Sequence, residues 1–259
     1  TGVAVGKSAG NESVTCMELD GVGGMLIIGT NSVSGGYIKR LNADGSLNTA
    51  FNSGGGTPGT LYGVMSDPYS VVEFKTGQIM VAGADSGVGT ANMYTSVGAL
   101  DTTFSSDGIY TNGASITSVA VNGDDTIFMA IGYDVTGTKT VRLVSMDAAG
   151  DLVSTFGTAG VIDSVISDID AYANIRLALN PETGVSVAAS WNGASGKIAV
   201  LRYDDLGNAS SSFNSGSQLD LTFSTSVVLT DLVSLENEKI MVGGYQSGTN
   251  PSNYSVIER

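Results

Sequence analysis

The chain of 259 residues contains no histidine. Histidine is the commonest general base and transition-metal ligand, and its absence rules out every Ser-His or Cys-His nucleophile pair. The only cysteine is Cys16, so no disulfide can form within the chain, and cysteine usage does not identify a compartment. We therefore expect a protein that is not an enzyme and holds no cofactor or transition metal, while calcium stays an open alternative.

Basic residues are also scarce. The sequence has 11 Lys and Arg against 25 Asp and Glu, a formal net charge of −14. Phosphate backbones and anionic membrane surfaces are bound through clustered cations, so we expect no nucleic-acid partner. No stretch of about 18 apolar residues occurs that could form a spanning helix, and we expect no membrane insertion.

Charged residues of both signs make up only 14% of the chain, and prolines number only 4, whereas glycines number 36. Long surface helices need Lys, Glu and Arg, so this composition favours short strands joined by small polar turns. An acidic, Lys-poor sequence rich in Ser, Thr and Gly would also suit an extracellular or cell-surface protein.

The positive signal is an internal repeat. A short apolar run that ends in a small residue occurs five times, and its closing residues are 54, 49, 58 and 54 positions apart. These closing residues are Gly29, Gly83, Gly132, Ser190 and Gly244. Self-similarity at a fixed period of about 50 residues is typical of repeat architectures.

A second marker follows the same period. Phenylalanines that close a short polar segment stand at positions 51, 104, 156 and 213. Turns with Asn or Asp first and Gly last precede three of them: Asn42–Gly45, Asp147–Gly150 and Asp204–Gly207. Two independent markers with one spacing predict five repeats of about 52 residues each.

Each repeat has room for four strands. In the third repeat the alternating or apolar runs predict strands at 108–111, 116–121, 126–131 and 140–146, with a hairpin turn at Asn122–Asp124. The small closing residue then lies at the end of the third strand, where crowding excludes a larger side chain.

These observations predict an all-β fold, a five-bladed β-propeller of four-stranded antiparallel blades in a single domain over residues 1–259. An open β-solenoid and two packed sandwiches are the alternative folds. The approximate blades are 1–56, 57–107, 108–159, 160–217 and 218–259. We expect the chain to hold whole blades, with Thr1 at a first strand and no exchanged strand.

Two segments, 37–51 and 77–83, resemble the delta-60 repeat family, and the likeness extends more weakly over nearly the whole chain. The resemblance implies bacterial proteins, often exported or surface-associated, with a propeller-like fold. It implies no catalytic activity, and it transfers no functional residues.

A candidate ligand site follows the small closing residues. The next two positions are an aromatic and a polar residue in three repeats, and they keep only the polar residue, Asn31 or Asp85, in the first two. A ring that stacks on a sugar beside a hydrogen-bonding group would bind carbohydrate. The alternative interpretation is that these residues only end a strand and start a turn. The predicted ligand-binding residues are Tyr133, Asp134, Trp191, Asn192, Tyr245 and Gln246.

Acidic residues give the other candidates. Asp163, Asp168 and Asp170 lie close in sequence but lack the spacing of a helix-loop-helix calcium site. Asp124-Asp125 and Asp204-Asp205 are predicted to be turns.

The sequence therefore favours a non-catalytic extracellular or cell-surface module for binding or adhesion, whose partner is a glycan or protein on a surface. A structural or assembly domain of a larger surface protein or fibre is one alternative. A carboxylate-dependent carbohydrate-active enzyme is the other. An oligomer, or a place within a longer chain, is compatible with each.

Overall fold

The computed structural model describes residues 10–135, 138–163, 166, 175–180, 184–191, 196–235, 239–246 and 254–258. This part of the protein consists of β-strands, turns and two single 3-10 turns, Phe104–Ser106 and Asn214–Gly216. It contains no helix that is long and apolar enough to cross a membrane. The chain divides into two compact units, residues 1–121 with 148–150 and residues 122–147 with 151–259.

The first unit contains two antiparallel sheets, each with four strands in chain order. The first sheet consists of β1 (Glu12–Leu19), β2 (Met25–Asn31), β3 (Gly35–Leu41) and β4 (Thr60–Tyr62). The second consists of β5 (Asp67–Glu73), β6 (Ile79–Asp85), β7 (Val88–Tyr94) and β8 (Ile109–Asn112). Strand β9 (Ile116–Val121) packs against β5 and β6.

The second unit continues the same pattern. Strands β10 (Ile127–Val135), β11 (Thr138–Met146) and β12 (Val161–Ile162) pair antiparallel in chain order. A four-stranded sheet follows, with β13 (Ile175–Asn180), β14 (Gly184–Trp191), β15 (Lys197–Tyr203) and β16 (Leu219–Thr222). In the described residues the last sheet comprises β17 (Val227–Ser234), β18 (Ile240–Gln246) and β19 (Tyr254–Glu258).

The all-β class and the four-stranded antiparallel sheets are confirmed, but the grouping of strands differs from the prediction. Strand β8 was expected to open the third repeat, and instead it pairs with β7 and completes the second sheet. The small closing residues therefore lie on the second strand of a sheet, not on the third. Alternation along a strand shows which residues face one side, but it does not identify the partner strand. A single ring of five blades stays a prediction.

Buried apolar side chains fill the space between neighbouring sheets within each unit. In the first unit one cluster joins the first two sheets, and in the second unit another joins the last two. The first cluster contains Leu26, Ile28, Ile38, Phe51, Val64, Met65, Val71, Ile79, Val81 and Tyr94. A four-stranded sheet of this size is stable only when such packing covers its apolar faces.

The phenylalanine marker and the turn marker meet between consecutive repeats. Phe51 is buried, and the next residue, Asn52, donates its N–H to the carbonyl of Val97 at 2.9 Å. The following residue of that turn, Gly98, packs on the Phe51 ring. We call this arrangement the Phe–turn contact. It recurs from Ser105 to Ala149 at 2.7 Å and from Gly157 to Leu206 at 2.8 Å.

Candidate functional site

The predicted ligand residues that the structure describes lie at or near the end of the second strand of a sheet. Strand β2 ends at Asn31, β6 at Asp85, β14 at Trp191 and β18 at Gln246, and β10 contains Tyr133 and Asp134. The equivalent positions of the sequence repeat are thus equivalent positions of the sheets.

A β-bulge precedes this strand end in three sheets. The pairing of β1 with β2 skips Thr15, and Val14 then stands opposite Gly29. A Cβ atom on Gly29 would overlap the carbonyl oxygen of Ser13. Gly83 faces the carbonyl of Asp67 in the same way, and a similar bulge lies opposite Gly244. In these three sheets the bulge explains why a small residue stands at this position.

In the first two sheets the polar residue two positions after the small residue is hydrogen-bonded to other residues of the same sheet or its turns. Asn31 Oδ1 accepts the N–H groups of Val33 at 2.9 Å and Ser34 at 3.0 Å. Asp85 Oδ1 accepts the N–H of Ser66 at 3.1 Å and its hydroxyl at 2.7 Å. Asn31 thus holds its own turn, as the alternative interpretation of the sequence has it, whereas Asp85 bonds to the segment that leads into β5.

The last sheet resembles the second sheet in this respect. Gln246 Oε1 accepts the hydroxyl of Thr225 at 3.2 Å, in the segment that leads into β17. Tyr245 beside it is half-buried and stands opposite Tyr254 of β19. The Gln246 side chain thus has a structural bond, and the Tyr245 side chain is partly accessible.

The third repeat is different, because three side chains form one surface cluster there. The Tyr133 hydroxyl donates to Asp163 Oδ1 at 3.0 Å, and Arg142 Nε donates to the same oxygen at 2.5 Å. The Arg142 guanidinium carbon lies 4.4 Å from the centre of the Tyr133 ring. We call Tyr133, Arg142 and Asp163 the rim cluster.

Strand pairing explains why the rim cluster forms. Tyr133 shares a face of β10 with Ile131, and Arg142 of β11 stands directly opposite Ile131. Arg142 is therefore the diagonal neighbour of Tyr133, a spacing that long side chains bridge. Asp163 follows β12 and continues its pairing with β11 toward Arg142.

The rim cluster is accessible and polar. The Arg142 side chain is 30% exposed and that of Asp163 is 56% exposed. Partial burial acts to lower the pKa of Arg142, but the bond and charge of Asp163 outweigh it and raise the pKa. The guanidinium stays charged and lies over the Tyr133 ring, and the exposed Asp163 carboxylate stands beside both groups.

The other predicted ligand residues are only partly described. Asp134 and Trp191 are placed by their strands, and their side chains lie outside the described part, as does Asn192. A rim with three equivalent aromatic residues therefore stays a prediction. Sequence reasoning found Tyr133, considered Asp163 only as a calcium candidate, and missed Arg142. A signal for Arg142 was its charge within the otherwise uncharged run Thr140–Met146.

Among the acidic candidates, Asp163 belongs to the rim cluster, and the pairs Asp124-Asp125 and Asp204-Asp205 lie in turns. Asn122 Oδ1 accepts the N–H groups of Asp124 and Thr126, and Asp204 Oδ1 accepts those of Leu206 and Asn208. Asp168 and Asp170 lie outside the described residues. Within the described ranges, no group of three or more Cys, Asp and Glu residues is arranged to hold a metal ion.

Two carboxylates of the first unit come together on one cation. Arg40 Nη2 lies 3.1 Å from Asp20 Oδ2 and 2.6 Å from Glu73 Oε1. Both carboxylates are nearly inaccessible, at 2% and 7% exposure. Both carboxylates are buried and bonded to Arg40. The catalytic carboxylates of a glycosidase, in contrast, flank a substrate in an open cleft.

Comparisons with known proteins show a likeness of fold only. No protein-family model matches the sequence, and no curated protein matches it. A crystal structure of a protein of unknown function from Bacteroides caccae is similar over 95% of this chain and 77% of that one, with 11% identity and a TM-score of 0.55. At such identity the likeness supports the fold and nothing further.

Two carbohydrate-active enzymes show weaker likeness. An engineered GH43 glycoside hydrolase with endo-xylanase and exo-arabinofuranosidase activity has 11% identity and a TM-score of 0.43, covering 94% of this chain and 52% of that one. A PL25 ulvan lyase has 9% identity and a TM-score of 0.43, covering 93% and 67%.

Proposed function

We propose that this protein is a five-bladed β-propeller that acts as a non-catalytic binding module for carbohydrate. Five successive groups of antiparallel strands at one sequence period support the propeller. The rim cluster of Tyr133, Arg142 and Asp163 is the observation that supports carbohydrate binding. It combines an aromatic ring, a guanidinium and an accessible carboxylate, carried by β10, β11 and the residue after β12.

Each group of the rim cluster has a role in this proposal. The half-buried Tyr133 ring supplies an aromatic surface for the C–H face of a sugar, and the Arg142 guanidinium beside it can donate to sugar hydroxyls. Asp163 keeps lone pairs that can accept sugar hydroxyls beside those that accept Tyr133 and Arg142. The negative net charge favours neutral glycans over acidic ones.

The wider setting is part of the same proposal. A non-catalytic module of the delta-60 type would act in adhesion outside the cell or at its surface, with no cofactor. Several weak sites at equivalent positions would then act together by avidity on a glycan-coated surface. A domain that only assembles a larger protein is the second candidate, because β19 has an open edge in the described structure.

Glycan-array screening of the full chain tests this proposal. We expect Tyr133→Ala to weaken binding about fivefold, because loss of one stacked ring removes roughly 1 kcal/mol. Tyr69→Ala is the matched control, since Tyr69 is an exposed tyrosine on a bulge of the first unit. Fluorescence of Trp191, the single tryptophan, reports whether its position is near the ligand.

The outcomes separate the two candidate functions. Binding that Tyr133→Ala leaves unchanged would show that the rim cluster is not the site. Binding to no glycan at all would reject carbohydrate recognition and favour an assembly role.

A further inference from the structure

A second cluster of aromatic, cationic and acidic side chains lies on the first sheet, and none of its members is among the predicted ligand residues. The Tyr62 hydroxyl of β4 donates to Glu12 Oε1 of β1 at 2.9 Å, and Lys39 Nζ of β3 donates to Glu12 Oε2. The Lys39 ammonium lies 5.1 Å from the centre of the Tyr37 ring. We call Glu12, Tyr37, Lys39 and Tyr62 the first-sheet cluster.

The first-sheet cluster has the same chemistry as the rim cluster. In both, a tyrosine hydroxyl and a cation bond to one carboxylate, and the cation lies over a tyrosine ring. The positions also correspond. Tyr37 stands opposite the fifth residue of β2, as Arg142 stands opposite the fifth residue of β10. Tyr62 pairs with Tyr37, and Asp163 continues the pairing of β12 toward Arg142.

Gly29 explains how side chains of β3 and β4 reach β1. Tyr62, Tyr37 and Gly29 stand opposite one another on β4, β3 and β2. Because Gly29 has no side chain, the Tyr37 hydroxyl extends over β2 and donates to the carbonyl of Ser13 at 3.2 Å. A Cβ on Gly29 would lie 2.9 Å from that hydroxyl oxygen. Tyr62 reaches Glu12 of β1 across the same strand.

The Tyr62 ring is both held and accessible. Its centre lies 6.2 Å from that of Tyr37, in an edge contact at 61°. Tyr37 is buried, whereas Tyr62 is half-buried and Glu12 is exposed. Burial, the Glu12 carboxylate and the neighbouring Tyr62 raise the pKa of Tyr37, so its hydroxyl stays a donor. Tyr37 at the ring and Glu12 at the hydroxyl therefore fix the orientation of Tyr62, which lowers the entropy cost of covering it with a ligand.

We propose that the first-sheet cluster is a second carbohydrate site, in which a neutral sugar stacks on Tyr62 and donates hydroxyls to Glu12. The inference rests on the proposed function, because it extends glycan binding to a second site. The first repeat has no aromatic residue after Gly29, and in this sheet the outer strand supplies the ring instead. Two sites in one chain would raise the avidity for a glycan-coated surface.

Fluorine NMR of the full chain locates the site without any substitution. The chain carries 3-fluorotyrosine at its 10 tyrosines, and single Tyr→Phe variants assign the signals. The probes are the neutral sugars cellohexaose, mannohexaose and xylohexaose. We expect at least one of them to shift the signals of Tyr62 and Tyr133. The reference is Tyr110, a half-buried tyrosine of the outer strand β8 whose hydroxyl accepts a bond from Asn112.

The signals separate this inference from the proposed function. A shift of Tyr133 alone would overturn the first-sheet site and leave the rim cluster in place. A shift of Tyr62 alone would support the first-sheet site and reject the rim cluster. If no probe shifts either signal, both sites are rejected.

Calorimetric titration with the same sugars measures the contribution of the ring. In a Tyr133→Ala background, adding Tyr62→Ala should weaken the remaining binding about fivefold, the effect of one stacked ring. Adding Tyr110→Ala is the matched control and should leave it unchanged. Tyr62→Leu, which keeps apolar bulk without an aromatic face, replaces Tyr62→Ala if that variant does not fold. Equal affinities with and without the Tyr62 ring would overturn the proposal.

Discussion

Arg40 Nη2 lies 2.6 Å from Glu73 Oε1 and ties the third strand of the first sheet to the first strand of the second. Glu73 Oε2 also accepts the N–H of Gly21 at 2.9 Å, in the turn between β1 and β2. Asp20 of the same turn bonds to Arg40 as well. One guanidinium thus joins three segments of the first unit through buried charges.

Replacing Arg40 should strongly destabilise the first unit. Arg40→Met leaves Asp20 and Glu73 buried without a cation, which costs about 3–5 kcal/mol of unfolding free energy. Urea denaturation measures this loss. Adding Glu73→Gln to Arg40→Met should recover part of it, because one uncompensated charge is removed. If the two changes were simply additive, the coupling between Arg40 and Glu73 would be refuted.

The markers in the sequence were sufficient to find the period of the repeat. They were not sufficient to show which strands belong to the same sheet. Phe51 and Gly29 were found from spacing alone, and both are buried, Gly29 within β2 and Phe51 in the turn after β3. Which strand pairs with β8 was not predictable, because β8 is short and its pattern fits either neighbour. The phenylalanine and the turn were each identified in the sequence, but the Phe–turn contact between them was missed. It joins residues of different repeats, which the spacing within one repeat does not show.

The candidate site was predictable only in part, for a similar reason. Tyr133 follows a repeat marker, so its position at a strand end could be inferred. Arg142 and Asp163 reach Tyr133 through strand pairing and lie 9 and 30 residues away in sequence. Local periodicity carries no information on such contacts.

Because Gly29 is closely surrounded by backbone atoms, a larger residue there should lower the stability of the protein. Gly29→Ala places a methyl group against the carbonyl oxygen of Ser13, and backbone atoms cannot turn aside as a side chain can. We expect a loss of about 2–4 kcal/mol, within the range for overpacked and strained sites. Gly54→Ala is the control, because a Cβ there meets nothing within 4 Å. Thermal unfolding distinguishes the two, and equal losses would contradict the role of the bulge.

The contribution of Asp101 to folding stability should depend on pH. Hydrogen bonds from the Thr103 hydroxyl and then from Gln78 lower the pKa of Asp101 in the folded protein. A lowered folded pKa means that this contribution to stability is present above about pH 4 and is lost as the pH falls further. NMR titration should show the Asp101 pKa rising toward its ordinary value in Thr103→Val. An unchanged pKa would show that the Thr103 bond is not its cause.

The Phe–turn contact can be isolated by comparing two glycines in equivalent turns. Gly45 and Gly98 have φ values of +79° and +87°, so alanine is strained by about 1–2 kcal/mol at either position. A Cβ on Gly45 meets nothing within 4 Å, whereas one on Gly98 lies 2.9 Å from the Phe51 ring. Gly98→Ala should therefore lower the unfolding free energy by about 1–3 kcal/mol more than Gly45→Ala, because overpacking adds to backbone strain. Denaturant titration of both variants measures the difference. Equal losses would mean that the contact with Phe51 yields freely and does not hold consecutive repeats together.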